Sequence, residues 1–282
     1  MDKNKLSDLY NADWQAAIDA AHGNEGNAKL VTKYELQGPQ VITETIHLKR
    51  GANVLICGKD AIVRGRNHKG PLFLIDNGAC LTLMVLRVAI SGTLDSFNPM
   101  ETLEREFAAK TDSLIRVLPG GTLAMVGVGL TGNVSVDGGA GIDNAGKVVS
   151  VGCMYLHLIC VGDGGAIRNR NTRVIDVLDL DAPTPWQDLV RDICPVWPVE
   201  LPCWPRLGGK DSDVTAFINC SAVPRADGTG GRGGAIANEG GKVTFDLTHP
   251  RKTFTGCHAG EYPNIYSSDG GSLDLKGVVG EV

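Results

Sequence analysis

Gly138-Gly139-Ala140-Gly141-Ile142-Asp143-Asn144, Gly164-Gly165-Ala166-Ile167-Arg168-Asn169 and Gly233-Gly234-Ala235-Ile236-Ala237-Asn238 are three renderings of one phrase. Seven to eight residues after its isoleucine, each leads into an alternating apolar stretch: Val149-Ser150-Val151, Ile175-Asp176-Val177 and Val243-Thr244-Phe245. A phrase that returns in this way marks one structural unit stacked on itself. Alternation over a few residues is the signature of a short strand with one face inward.

Outward from these copies the same grammar continues without the paired glycines. Ile46-His47-Leu48 leads through Gly51 to Val54-Leu55-Ile56, and Phe73-Leu74-Ile75 leads through Gly78 to Leu81-Thr82-Leu83. Ile115-Arg116-Val117 leads to Leu123-Ala124-Met125, and Ile265 leads to Leu273-Asp274-Leu275. Counted on Val54, Leu81, Leu123, Val149, Ile175, Val243 and Leu273, the steps are 27, 42, 26, 26, 68 and 30 residues. Steps of 26 to 30 are single turns of a coil, and the two long steps carry insertions. This predicts an all-β fold, a right-handed parallel β-helix (solenoid) of about seven to nine coils forming one domain over residues 1–282. A leucine-rich repeat is excluded because its LxxLxLxxN pattern is missing.

Residues 7–22 read as a capping helix. Asn11 caps it, Trp14, Ala17, Ile18 and Ala21 share a face, and Gly23 stops it. A solenoid needs such a cap because its first coil otherwise exposes apolar side chains and unpaired strand edges. The first insertion, residues 93–112, opens with Asn98-Pro99-Met100-Glu101, an N-cap with a capping-box glutamate, so a short helix is expected there. The second, residues 178–213, holds six prolines and Trp186, Trp197 and Trp204. Proline at that density forbids a central strand or a long helix. An extended loop is expected, and long loops on a solenoid commonly form its binding face.

Composition narrows the partners. Aromatic residues are only 5% of the chain against 43% hydrophobic, so the core must be aliphatic. A net charge of -5 argues against nucleic acid, which needs a basic surface. No apolar run reaches the roughly 18 to 20 residues that span a bilayer. The opening Met1-Asp2-Lys3-Asn4-Lys5 has no apolar leader core. The expectation is an intracellular chain or, if a leader was removed, an extracellular, surface or lumenal one.

Phe217-Ile218-Asn219-Cys220-Ser221-Ala222 followed by Gly233-Gly234-Ala235-Ile236-Ala237-Asn238 resembles the FxxN…GGAI repeat of the polymorphic outer-membrane protein family and related right-handed β-helix regions. Here the asparagine stands two residues after the phenylalanine, not three. The clear motif covers residues 138–275, and the N-terminal part resembles the opening coils of pectate-lyase-like folds. The resemblance implies surface display and adhesion and carries over no catalytic residue.

Several groups of residues invite a chemical reading. Asn144, Asn169 and Asn238 fall on one repeat position, where stacked amides can satisfy a turn. Asp163, Asp176, Asp179, Arg168, Arg170 and Arg173 lie around one coil, with Asp143 on the coil before. If the protein is an enzyme, Asp163, Asp176, Asp179, Arg170 and Arg173 are its catalytic candidates, for a polysaccharide lyase or glycoside hydrolase. The plainer reading of the same residues is a solvated outer face. Asp211 and Asp213 border the second insertion with the same two readings. Trp186, Trp197 and Trp204 are candidates for contact with another protein or a glycan, against the reading that they cover their own coil. Cys194 and Cys203 are a candidate disulfide. Cys160, Cys220 and Cys257 are expected to form one column, as buried small hydrophobes. The six histidines lack metal spacing and no phosphate loop is complete, so no metal and no cofactor is expected. The leading functional expectation is a non-catalytic binding or structural module; a polysaccharide-cleaving enzyme is the alternative.

Overall fold

The computed structural model describes residues 11–22, 32–36, 38–58, 60–65, 67–84, 87–90, 111–170, 174–178 and 215–280. Every strand pairing among them is parallel, and the strands fall into three sheets of eight, seven and seven, with one additional short strand, Ser221–Val223, pairing beside the second. The chain visits the sheets in a fixed order. In one complete coil, Ile142–Asn144 belongs to the third sheet, Lys147–Val151 to the first and Met154–Val161 to the second, before Ile167–Arg170 returns to the third. This is an all-β parallel solenoid, a parallel β-helix.

The isoleucine of each repeat phrase builds the shaft. Ile46, Phe73, Ile115, Ile142, Ile167, Ile236 and Ile265 pair in unbroken register down the third sheet, and all are buried. They belong to one continuous core that runs from Trp14 to Ile265. The paired glycines have separate causes. Gly164 and Gly233 adopt φ of 77° and 69°, where a Cβ would lie 2.3 and 2.1 Å from a carbonyl of their own turn. Gly165 and Gly234 face the next coil instead, and a Cβ there would lie 1.9 and 2.1 Å from its backbone carbonyls. One glycine is demanded by the turn and the other by the neighbour.

The first coil lies earlier than the sequence reading places it. Thr32–Glu35 and Gln40–Ile42 already join the first and second sheets. The helix runs Asn11–His22, and residues 7–10 lie outside the described residues. Trp14 and Ile18 are buried against the shaft. Gln15 accepts from the His47 N–H at 2.7 Å and donates to its carbonyl at 2.9 Å, so one amide satisfies both backbone groups of a third-sheet edge strand.

Two register expectations are corrected. Leu123 pairs with Val148, not Val149, so Val148 and Ser150 face inward. Apolar alternation in Val148-Val149-Ser150-Val151 favours the other phase, with Val149 and Val151 inward. The inward hydroxyl of Tyr155 decides it, because Ser150 lies 2.8 Å away as its partner. The cysteine column is also broken: Cys160 pairs with Ala222, while Cys220 and Cys257 are neighbours on adjacent coils. The expected column aligned His157 with Phe217, whereas Tyr155 is the residue that pairs with Phe217, and Phe217 with Phe254. These three rings stack inside the shaft, with centroids 4.4 and 5.3 Å apart. Two residues on from each ring, His157, Asn219 and Gly256 all have positive φ (51°, 52° and 62°), as does Gly132 at the same level of the preceding coil. The asparagine of the Phe-x-Asn motif therefore occupies a stacked kink that left-handed-tolerant residues fill.

Residues 91–110 separate a second-sheet strand from a third-sheet strand, whereas residues 179–214 separate a first-sheet strand from a second-sheet one. The two insertion points therefore lie at different corners of the coil.

Candidate functional site

At the corner between the second and third sheets, successive turns place a charged residue three to five positions before the inward isoleucine: Asp112, Asp137, Asp163, Arg232 and Glu261. Arginines on the outer face of the third sheet and on these turns bind the acids. Arg170 holds both oxygens of Asp143, at 2.7 and 3.1 Å, and Arg116 lies 3.4 Å from the same carboxylate. Arg116 also binds Asp112 at 2.7 Å, and Arg168 binds Glu239 at 2.9 Å across a coil boundary. Arg225 reaches Asp137 at 2.8 Å. Asp163 is nearly enclosed, and Arg232 supplies it with three donors: the backbone N–H at 3.0 Å, Nε at 3.1 Å and Nη2 at 2.7 Å.

Electrostatics follow from these contacts. Burial opposes the charge on Asp163, but the hydrogen bonds from Arg232 outweigh it and hold the carboxyl below its ordinary range. Those same bonds raise Arg232 further, so it stays charged throughout. At Asp143 burial pushes the carboxyl upward while Arg170 and Arg116 draw it back. Each of these two carboxylates accepts on both oxygens from one arginine, which suits rigidity better than proton transfer.

Arg232 has a second set of contacts. Its Nη1 donates to the Tyr266 hydroxyl at 2.8 Å, and its guanidinium carbon lies 4.2 Å from the centre of that ring. The Tyr262 ring leans on Tyr266 with centroids 5.3 Å apart. Beside Arg232 the surface opens into a cleft of about 490 Å³ lined by Pro224, Thr229, Gly230, Arg232, Gly260 and Glu261.

The three catalytic candidates among the described residues, Asp163, Arg170 and Asp176, lie apart from one another. Asp163 lies at the corner and Arg170 on the third sheet, where its partner is Asp143. Asp176 sits on the outer side of the first sheet between Val149 and Thr244 in register, with Lys147 and Lys242 two positions away on the same neighbouring strands, and burial pushes its carboxyl up. Asp179, Arg173, Asp211, Asp213, Trp186, Trp197, Trp204, Cys194 and Cys203 lie outside the described residues. Six cysteines among the described residues are free thiols. Among the described residues no group of three or more His, Cys, Asp or Glu is placed to hold a metal, and no helix is long and apolar enough to cross a membrane.

The expected amide column exists. Asn144 donates to Asn169 at 2.8 Å, Asn169 to Asn238 at 2.9 Å, and Asn238 to the Gly241 carbonyl at 2.9 Å, with all three buried. The sequence reading overlooked Arg116, Arg225, Arg232, Glu239, Tyr262 and Tyr266. A signal was present: a charged residue stands directly before the paired glycines at Asp137, Asp163 and Arg232. Compared with protein-family models, curated proteins and solved structures, the chain finds no match.

Proposed function

We propose that the protein is a non-catalytic β-helix module, a surface or assembly subunit that makes protein or glycan contacts from the outside of its coils. The observation that carries this reading is the corner network, in which Asp143, Asp163 and Glu239 are each bound by arginine. A hydrolase needs one carboxyl able to give up a proton and a second free to attack or to activate water. Carboxylates saturated by guanidinium groups do neither; they fix a surface in place. The resemblance of residues 217–238 to repeats associated with surface display and adhesion points the same way.

The test is incubation of the full chain with a panel of neutral and uronate polysaccharides, scoring new reducing ends and unsaturated uronate absorbance. Silence across the panel is expected. Cleavage that disappears in Asp163→Asn or Asp143→Asn overturns the reading. The alternative, a polysaccharide-cleaving enzyme, has one observation of its own: Asp176 carries a carboxyl pushed upward by burial, as a general acid requires. Under that alternative, cleavage is present and Asp176→Asn abolishes it.

A further inference from the structure

Tyr262 has the backbone conformation of a glycine. In the two preceding coils the same turn position is held by Gly164 and Gly233; the N–H of Gly233 bonds the Glu261 carbonyl as that of Gly164 bonds the Arg232 carbonyl. The turn demands a left-handed residue there, and Tyr262 supplies it at a φ of 56°. For a bulky side chain this is a genuine outlier, and such strain persists where something else is gained. Packing is not the gain, because Tyr262 is 52% exposed. What the strained turn achieves is to present an aromatic ring to solvent.

The surroundings of that ring are built in advance. Tyr262 follows Glu261, a wall residue of the corner cleft, and its ring rests on Tyr266, which lies over Arg232, a second wall residue. Arg232 cannot swing away, since Asp163 and the Tyr266 hydroxyl hold it from two sides. The opposite wall is a closed turn. Thr229 returns its carbonyl to the Arg225 N–H at 2.8 Å, and Asp227 accepts from the Thr229 N–H and hydroxyl at 2.9 and 2.7 Å. The cleft, at about 490 Å³, falls within the roughly 300–1,000 Å³ of small-molecule sites.

The chemistry of the walls selects the ligand class. An exposed tyrosine offers an apolar face for the C–H side of a sugar ring, and Glu261, Thr229 and the Arg232 edge offer acceptors and donors for hydroxyls. The Arg232 charge is balanced by Asp163 and that of Arg225, which lies against Thr229 and Gly230, by Asp137, so the further carboxylates of Glu261 and Asp227 leave the site net negative and disfavour anions. We infer that the cleft lined by Pro224, Thr229, Arg232 and Glu261, together with the exposed Tyr262 ring next to Glu261 as a stacking platform, binds a neutral glycan. This deepens the binding-module reading and rests on it.

The experiment titrates the full chain, by calorimetry and by chemical-shift change, with neutral gluco-, manno-, xylo- and galacto-oligosaccharides and with oligogalacturonides as the charged comparison. The wild type is expected to bind at least one neutral oligosaccharide in the millimolar range or tighter, and in preference to the uronates. Tyr262→Gly restores the residue the turn favours, so its melting temperature should be unchanged or higher while affinity falls by about tenfold or more. Tyr262→Phe should retain binding. Failure of every neutral oligosaccharide to bind, a preference for uronates, or equal affinity in Tyr262→Gly each overturns the site. Release of reducing ends by the wild type sinks the non-catalytic reading instead, and the Tyr262→Gly comparison still decides the site.

Discussion

The outer side of the first sheet and the corner between the second and third sheets share one backbone plan and differ in chemistry. On the first sheet Leu55, Thr82, Ala124 and Val149 alternate with inward residues, yet all four are wholly buried. The column continues to Asp176, which lies between Val149 and Thr244, with Lys147 and Lys242 on the strands to either side. The corner and the outer face of the third sheet beside it instead carry their charge as arginine–carboxylate pairs that cross from coil to coil, from Arg116–Asp143 on the sheet to Arg232–Asp163 at the corner. Strand alternation says which residues leave the shaft; it does not say whether they meet water, protein or an ion partner. The corner is the face on which the molecule fixes its polar groups.

The strongest way to break that corner is Arg64. It is in phase with the inward Ile62 and only 3% exposed, and it donates to the carbonyls of Gly70, Asp112 and Ser113. The guanidinium thereby ties the corner of one coil to that of the next. Arg64→Met removes all of these bonds from a buried site, with the Asp112 carbonyl keeping a donor, the Asn133 side chain at 2.9 Å, and should cost about 3–5 kcal/mol in urea unfolding, the largest effect predicted. A loss under about 1 kcal/mol would mean that the corner is not a clamp.

Next in size is the amide column on the opposite side of the repeat phrase. Asn169 both accepts from Asn144 and donates to Asn238, so Asn169→Leu strands a donor below and an acceptor above. The expected loss is about 2–3 kcal/mol by the same measurement. A matching double variant, Asn169→Leu with Asn144→Leu, should cost less than the sum of its parts, because the second substitution removes a group already left unpaired.

The sequence exposed the architecture for a physical reason: parallel stacking repeats the same constraint in every coil, so Ile142, Ile167 and Ile236 announce themselves along with the glycines before them. Single contacts were harder to read. The phase of Val148-Val149-Ser150-Val151 rested on the Tyr155 hydroxyl, which lies one strand away. The cysteine column failed because His157 looked like the counterpart of Phe217, when its place is the kink after the ring. Arg64 violates alternation outright, and only the carbonyls gathered around it explain an inward arginine. Of the candidate site, Asp163 and Arg170 were visible in the sequence. Their partners Arg232 and Asp143 come from other coils, 69 and 27 residues away, and the long insertion between Asp163 and Arg232 hid the first pairing.

The two faces should also answer to pH with opposite sign. Asp163 is held below its ordinary 3.8 in the folded protein. Its contribution to stability is therefore present above that value and lost as pH falls from there through the folded value. Asp163→Asn should destabilise by about 2 kcal/mol at neutral pH, with the difference closing once the solution is acidified below 3.8. A difference that stays constant with pH would show that the Arg232 contact works without its charge.

Asp176 gives the smallest effect and the sharpest contrast. Burial raises its carboxyl above 3.8 despite the pull of Lys147 and Lys242, so in the folded state the charged form is the disfavoured one. A group shifted upward costs stability as pH rises from its unfolded value through its folded one, and that cost persists at neutral pH. Asp176→Asn keeps the shape and removes the charge. It should raise the melting free energy at pH 7, by no more than about 1 kcal/mol, with the advantage shrinking as acid protonates the wild type. Matched thermal melts of both proteins at neutral pH and near pH 4 measure this. Destabilisation by Asp176→Asn at neutral pH would put the first-sheet acid in the same class as Asp163, with the lysines prevailing over burial, and the contrast between the two faces would fall.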